Sequence, residues 1–120
     1  MQLERGRRWE AAAAQYLEER GLRIIARSYR CRLGELDLVC RSPESLVVVE
    51  VRARGTGARC SAAESISHRK RQRIVLATRH MLMRKPELKS LPIRFDVVAF
   101  DAIDTDAPLV AWIKNAFDAC

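Results

Sequence analysis

Apolar and polar positions follow two periods along this 120-residue chain, and the switches between them lay out its elements. The clearest stretch is residues 34–54. Two runs, Gly34-Glu35-Leu36-Asp37-Leu38-Val39-Cys40-Arg41 and Leu46-Val47-Val48-Val49-Glu50-Val51-Arg52-Ala53-Arg54, flank the turn residues Ser42-Pro43-Glu44-Ser45. Two Val/Leu-rich runs around a Pro-containing turn predict a β-hairpin. With a symmetric four-residue turn Arg41 faces Leu46, so that Asp37 faces Glu50 and Glu35 faces Arg52. Period-two alternation then puts these four polar side chains on one face, with Leu36, Leu38, Val49 and Val51 on the other.

Helical spacing governs the start of the chain. From about Leu3 to Arg20, Leu3, Ala13 and Leu17 share a face, with Trp9 and Tyr16 beside it, and Gly21 is a natural stop. Glu10 falls on the inward side of this helix, where it either reaches the hairpin face or sits in water at the edge of the stripe. Leu22 to Tyr29 reads as a strand that leads through Arg30-Cys31-Arg32 into a turn at Gly34. Gly55-Thr56-Gly57 ends the third strand. Ser61-Ala62-Ala63-Glu64 has capping-box spacing, and Ser67 is an equally good cap for the helix that follows. That helix runs to about Arg84, ahead of Pro86, with the stripe Ile66, Lys70, Ile74, Ala77 and Met81. Lys70 interrupts this stripe and so points towards the sheet. Ile93 to Phe100 is a strand, Asp101 to Pro108 a polar loop, and Leu109 to Ile113 a short last strand. The order is helix, three strands, helix, strand, strand. It predicts a single α/β domain over residues 1–120, a mixed sheet flanked by helices.

Charge narrows the partners. Lys and Arg number 22 against 15 Asp and Glu, for a net charge of +7, and only four of the 22 are lysines. Arginine forks suit phosphate, and Arg69, Arg71 and Arg73 crowd the start of the second helix, with Arg54 at the end of the third strand. A basic helix start is electrostatically poor by itself and becomes sensible when an anion docks there. No stretch is apolar enough for a membrane span, and Ala11 to Ala14 is too short for a signal-peptide core, so a cytoplasmic location is expected. The four cysteines, Cys31, Cys40, Cys60 and Cys120, lack zinc-ligand spacing and are expected to be reduced thiols. His68 and His80 have no candidate nucleophile beside them.

The carboxylates carry the candidate chemistry. Asp37 held opposite Glu50 costs the sheet stability through like-charge repulsion. A divalent cation between them removes that cost, and hard oxygen ligands suit Mg²⁺ or Mn²⁺.

With Asp37 and Glu50-Val51-Arg52 in place, the chain resembles the restriction-endonuclease-like superfamily, whose signature is PD-(D/E)xK. More closely it resembles the bacterial YraN-like family. The likeness rests on Gly34-Glu35-Leu36-Asp37-Leu38-Val39, Val49-Glu50-Val51-Arg52-Ala53-Arg54, Lys70 with Arg73, Arg94-Phe95-Asp96-Val97-Val98 and Asn115-Ala116-Phe117. It is also similar to archaeal Holliday-junction resolvases, where an N-terminal helix Glu joins the Asp and Glu. The resemblance implies a restriction-endonuclease-like core in which Asp37, Glu50 and Glu10 are metal ligands. It further implies cleavage of DNA, including branched DNA, and a homodimer. One position departs from the pattern: Arg52 stands where the superfamily has lysine. Guanidinium supplies charge but gives up no proton, so general-base action by Arg52 is excluded. Lys70 is the substitute within the chain. The expected function is therefore a metal-dependent endonuclease. The alternatives are a non-catalytic nucleic-acid-binding module on the same fold and a scaffolding protein of incidental charge.

Overall fold

The structure is a computed structural model and describes residues 2–119. Helix α1 (Gln2–Glu19) leads into strands β1 (Arg23–Cys31), β2 (Gly34–Arg41) and β3 (Leu46–Arg54). A short 3-10 turn at Ala63–Ser65 precedes helix α2 (His68–Arg84), and β4 (Ile93–Asp101) and β5 (Leu109–Phe117) complete the chain. The strands lie in sequence order, β1-β2-β3-β4-β5, in one five-stranded sheet. Only β3 and β4 run parallel, and α2 belongs to the crossover between them. This is the expected restriction-endonuclease-like order, helix, three strands, helix, strand, in an α/β domain.

Each helix covers one face of the sheet. Ala13, Ala14 and Leu17 of α1 bury against Leu38, Cys40, Val47, Val49, Val98 and Phe100, with Trp9 against Phe100 at a ring-centroid distance of 4.7 Å. The side chain of Leu3, expected on the same stripe, lies outside the described residues. Ile74, Val75, Ala77 and Met81 of α2 bury against Leu36, Val39, Leu46, Val48, Phe95 and Val97. The central strands are covered on both sides, which explains the unbroken apolar run Leu46–Val49, every residue of it inaccessible to solvent. Gly21, at φ +95°, ends α1 as its sequence position suggests.

Both candidate caps are used. Ser67 Oγ accepts from the Lys70 amide at the start of α2. Ser61 and Glu64 form their own exchange around the 3-10 turn, Ser61 Oγ donating to Glu64 Oε1 at 2.8 Å and accepting from the Glu64 amide. The last strand is longer than its apolar pattern. It continues to Phe117 through a register shift at Phe95/Val97, with Asn115 at φ +52°. The buried carboxylate of Asp96 fills that irregularity: it accepts from the Asn115 amide, Trp112 Nε1, and Arg94 Nε and Nη2, all at 2.8–2.9 Å. No helix among the described residues is long and apolar enough to cross a membrane.

Candidate metal and nucleic-acid site

The hairpin register is the expected one, with Arg41 opposite Leu46 and Leu38 opposite Val49. The backbone ladder stops there. One residue further on, side chains replace carbonyls as acceptors: Asp37 Oδ2 accepts from the Val51 amide at 2.9 Å, and Glu50 Oε2 from the Asp37 amide at 3.4 Å. The strands have splayed, and the two carboxylates fill the fork. The neighbouring strand β1 is also irregular at this level. Ser28 sits at φ +51°, between the pairs Arg27–Leu38 and Tyr29–Leu36. Across this level β2 changes the face it presents, so Leu38 packs under α1 whereas Leu36 packs under α2. The expectation that Leu36 and Leu38 share a face is therefore corrected, because strict alternation does not survive an irregular residue.

Glu50 is buried, at 1% exposure, and Asp37 is half-buried. Burial, reinforced by Asp37, raises the Glu50 carboxyl well above the usual carboxylate range, while Lys70 and Arg52 oppose the rise. Asp37 is likewise raised by burial, against the Val51 amide and Lys70, which favour its charged form. The pair cannot hold two full charges comfortably. Glu50 Oε1, buried, has no hydrogen-bond partner among the described residues. A wholly buried carboxylate oxygen left orphaned beside a second carboxylate is the donor arrangement that a hard cation would complete.

Of the two candidate cations beside the carboxylates, Lys70 falls on the expected side and Arg52 is engaged elsewhere. Lys70, in the first turn of α2, is the basic side chain whose charge acts on both Asp37 and Glu50. Arg52 is also felt by Glu50, but its guanidinium is engaged elsewhere: Nε donates to Ser65 Oγ at 2.8 Å and Nη2 to the Ser65 carbonyl at 3.3 Å. It ties β3 to the 3-10 turn. Glu35 does not face Arg52. It pairs in register with Arg30 of β1 and accepts from Arg30 Nε at 3.3 Å.

Glu10 approaches from the α1 side. Its Oε1 accepts from Ser28 Oγ at 3.1 Å, and partial burial, then the charge of Asp37, raises its carboxyl above the ordinary value. It thus lies within electrostatic reach of the pair, but among the described residues no group of three or more His, Cys, Asp or Glu side chains is close enough to hold a metal. The four candidate arginines do not form one surface. Arg73 lies with Lys70 beside the β1–β2 hairpin tip, whereas Arg71 lies on the other flank of α2, 5.5 Å from the Phe117 ring. Arg69 is exposed, and Arg54 is half-buried at the end of β3, donating to the Ala53 carbonyl.

Sequence reasoning missed Ser28, Ser65 and Arg30. It also placed the β1–β2 turn at Gly34, whereas the turn is Arg32-Leu33 and Gly34 begins β2. Gly34 is required for another reason: a Cβ there would lie 2.8 Å from the Arg73 carbonyl oxygen, so the hairpin tip presses directly on the α2 backbone. No local pattern announces such a contact. The Cys40 thiol, raised by burial to about 12, is chemically quiet.

Residues 9–100 match the uncharacterised protein family UPF0102. A UPF0102 protein of Legionella pneumophila subsp. pneumophila (strain Philadelphia 1) is 41% identical over 119 residues, covering 99% of this chain and 98% of the relative. A UPF0102 protein of Ectopseudomonas mendocina is 48% identical over 115 residues, covering 95% and 94%, and one of Pseudomonas aeruginosa (strain LESB58) is 42% identical over 117, covering 97% and 94%. The chain belongs to this family.

Proposed function

We propose that this UPF0102 protein is a divalent-cation-dependent DNA endonuclease whose working residues are Asp37, Glu50 and Lys70. The observation that carries the reading is the fork between β2 and β3, where the half-buried Asp37 and the buried Glu50 meet, one Glu50 oxygen without a partner among the described residues, within reach of the Lys70 charge. Asp37 and Glu50 would hold Mg²⁺ or Mn²⁺, and Glu10 is the remaining acidic group on that side. When bound, such an ion supplies Lewis acidity towards a phosphoryl oxygen and lowers the pKa of water.

The protein's own groups do the rest. Lys70 offsets negative charge on the phosphate and favours the ionised form of both carboxylates. Arg52 holds the 3-10 turn through Ser65, so the charge that the superfamily places on the third strand comes here from α2. Arg69 and Arg73 position the sugar-phosphate backbone without reading sequence. The commitment of Arg52 to Ser65 also favours a second reading, a nucleic-acid-binding module without catalysis.

Incubation of linear, supercoiled and four-way-junction DNA with Mg²⁺ or Mn²⁺ separates the two. The endonuclease reading expects strand cleavage that is lost in Glu50→Gln and Lys70→Ala. Binding without cleavage of any of the three, or cleavage that survives Glu50→Gln, contradicts it.

A further inference from the structure

A cavity of about 330 Å³ opens beside the carboxylates, between the β1–β2 hairpin tip and the first turns of α2, lined by Arg30, Cys31, Gly34, Glu35, Lys70 and Arg73. We propose that this cavity is a subsite for a backbone phosphate of a DNA strand, held next to the carboxylate fork and read without regard to base. The inference rests on the nucleic-acid reading above and adds where the strand lies.

Charge comes first. Three cations, Arg30, Lys70 and Arg73, face one carboxylate, Glu35, so the cavity is net positive. Two of the cations are guanidinium forks, whose planar donors match phosphate oxygens bidentately. Lys70 belongs both to the cavity and to the electrostatics of Asp37 and Glu50, which makes the two sites adjacent. Among the described residues the lining has no aromatic side chain on which a base could stack and no amide side chain to pair with a base edge. What it recognises is therefore the phosphate and not the base.

Close approach of the two walls comes from Gly34. A Cβ at Gly34 would lie 2.8 Å from the Arg73 carbonyl oxygen, so glycine lets the two walls pack backbone against backbone. Glu35 supplies the competitor. Its carboxylate accepts from Arg30 Nε at 3.3 Å, and the two side chains are 39% and 66% exposed. An ion pair so exposed is weak, and a phosphate with two charged oxygens displaces it readily. Arg30 is thus parked on Glu35 until the strand enters.

Cys31, a free and half-buried thiol in the lining, provides a readout independent of activity. The full chain in EDTA is treated with N-ethylmaleimide, alone or with oligo-dT, thymidine monophosphate or inorganic phosphate, and labelling is mapped by mass spectrometry. Cys60, also half-buried and not one of the lining residues, is the internal control. Fluorescence anisotropy on the same oligo-dT gives affinity. The proposal expects oligo-dT to protect Cys31 and not Cys60. It expects Arg30→Ala or Arg73→Ala to weaken binding roughly tenfold and to lower the salt slope by about 1 each. Glu35→Gln should tighten binding several-fold, an effect that loss of a merely structural ion pair would not produce.

If DNA binds while Cys31 stays open and Arg30→Ala changes nothing, the subsite is overturned and the nucleic-acid reading survives. Protection by inorganic phosphate or thymidine monophosphate but not by oligo-dT overturns the strand assignment in favour of a free-phosphate site. Absence of any DNA binding overturns the subsite together with the reading it rests on.

Discussion

Replacing Glu50 by Gln isolates the electrostatic cost built into the fork. The wild-type carboxyl is 1% exposed; among the described residues Oε2 accepts one amide hydrogen bond and Oε1 accepts none. Burial, then Asp37, raises its pKa well above the ordinary carboxylate value. For an acid whose folded pKa is raised, full stability is present below the unfolded pKa and is lost as pH rises through the folded one, because the folded state holds the proton longer. Gln carries no such proton and keeps an oxygen for the Asp37 amide. The two proteins should therefore melt with a fixed offset in acid, and Glu50→Gln should gain on wild type as the pH rises. A buried acceptor without a partner costs about 1–3 kcal/mol, more if charged. At roughly 4 °C per kcal/mol for a chain of this size, Glu50→Gln should stand about 4–12 °C further above wild type at mildly alkaline pH than in acid. Melting followed by circular dichroism in EDTA across that pH range reads this directly. An offset independent of pH, or a Gln variant that loses ground as pH rises, would refute the argument.

Two further outcomes follow from hydrogen bonds outside the Asp37–Glu50 pair. Asp96 accepts from Arg94, Trp112 and the Asn115 amide and is wholly buried. Asp96→Ala should cost about 3–5 kcal/mol by stranding those donors, a fall in melting temperature of roughly 12–20 °C; a change of a degree or two would show the network to be unimportant. Arg52→Lys should speed amide hydrogen exchange across residues 63–66, because one ammonium cannot reproduce the paired donation of Arg52 to Ser65 Oγ and O. Unchanged exchange would mean that the arginine does not hold the turn.

The sequence made the order of elements and the hairpin register legible, since both follow from periodicity and turn chemistry. Leu38 opposite Val49 and Ser67 capping α2 are local consequences of that kind. The facing of Leu36 was not legible. Strict alternation fails between Leu36 and Leu38, opposite Ser28 of β1, whose left-handed φ no residue pattern announces. The partners of Glu35 and Arg52 were misassigned for a related reason: extrapolating the ladder past Leu38 ignored the splay, beyond which each long side chain finds its own partner, Arg30 and Ser65. Lys70 was legible because it breaks an apolar stripe. Arg71 was not separable from Arg69 and Arg73 by sequence, since a charge run does not reveal which member lies against Phe117. The length of β5 depended on Asp96, a carboxylate distant in sequence that satisfies the backbone at Asn115.

The central claim, that the fork between β2 and β3 is a built site for a divalent cation, is tested most directly by counting bound Mn²⁺. Electron paramagnetic resonance of free Mn²⁺ titrated with wild type, Asp37→Asn and Glu50→Gln, each with and without oligo-dT, gives that number. About one ion per wild-type chain is expected, bound more tightly with the oligonucleotide present, as is loss of that ion in both variants. Equal free Mn²⁺ above all three proteins, with DNA as well as without it, would contradict the claim.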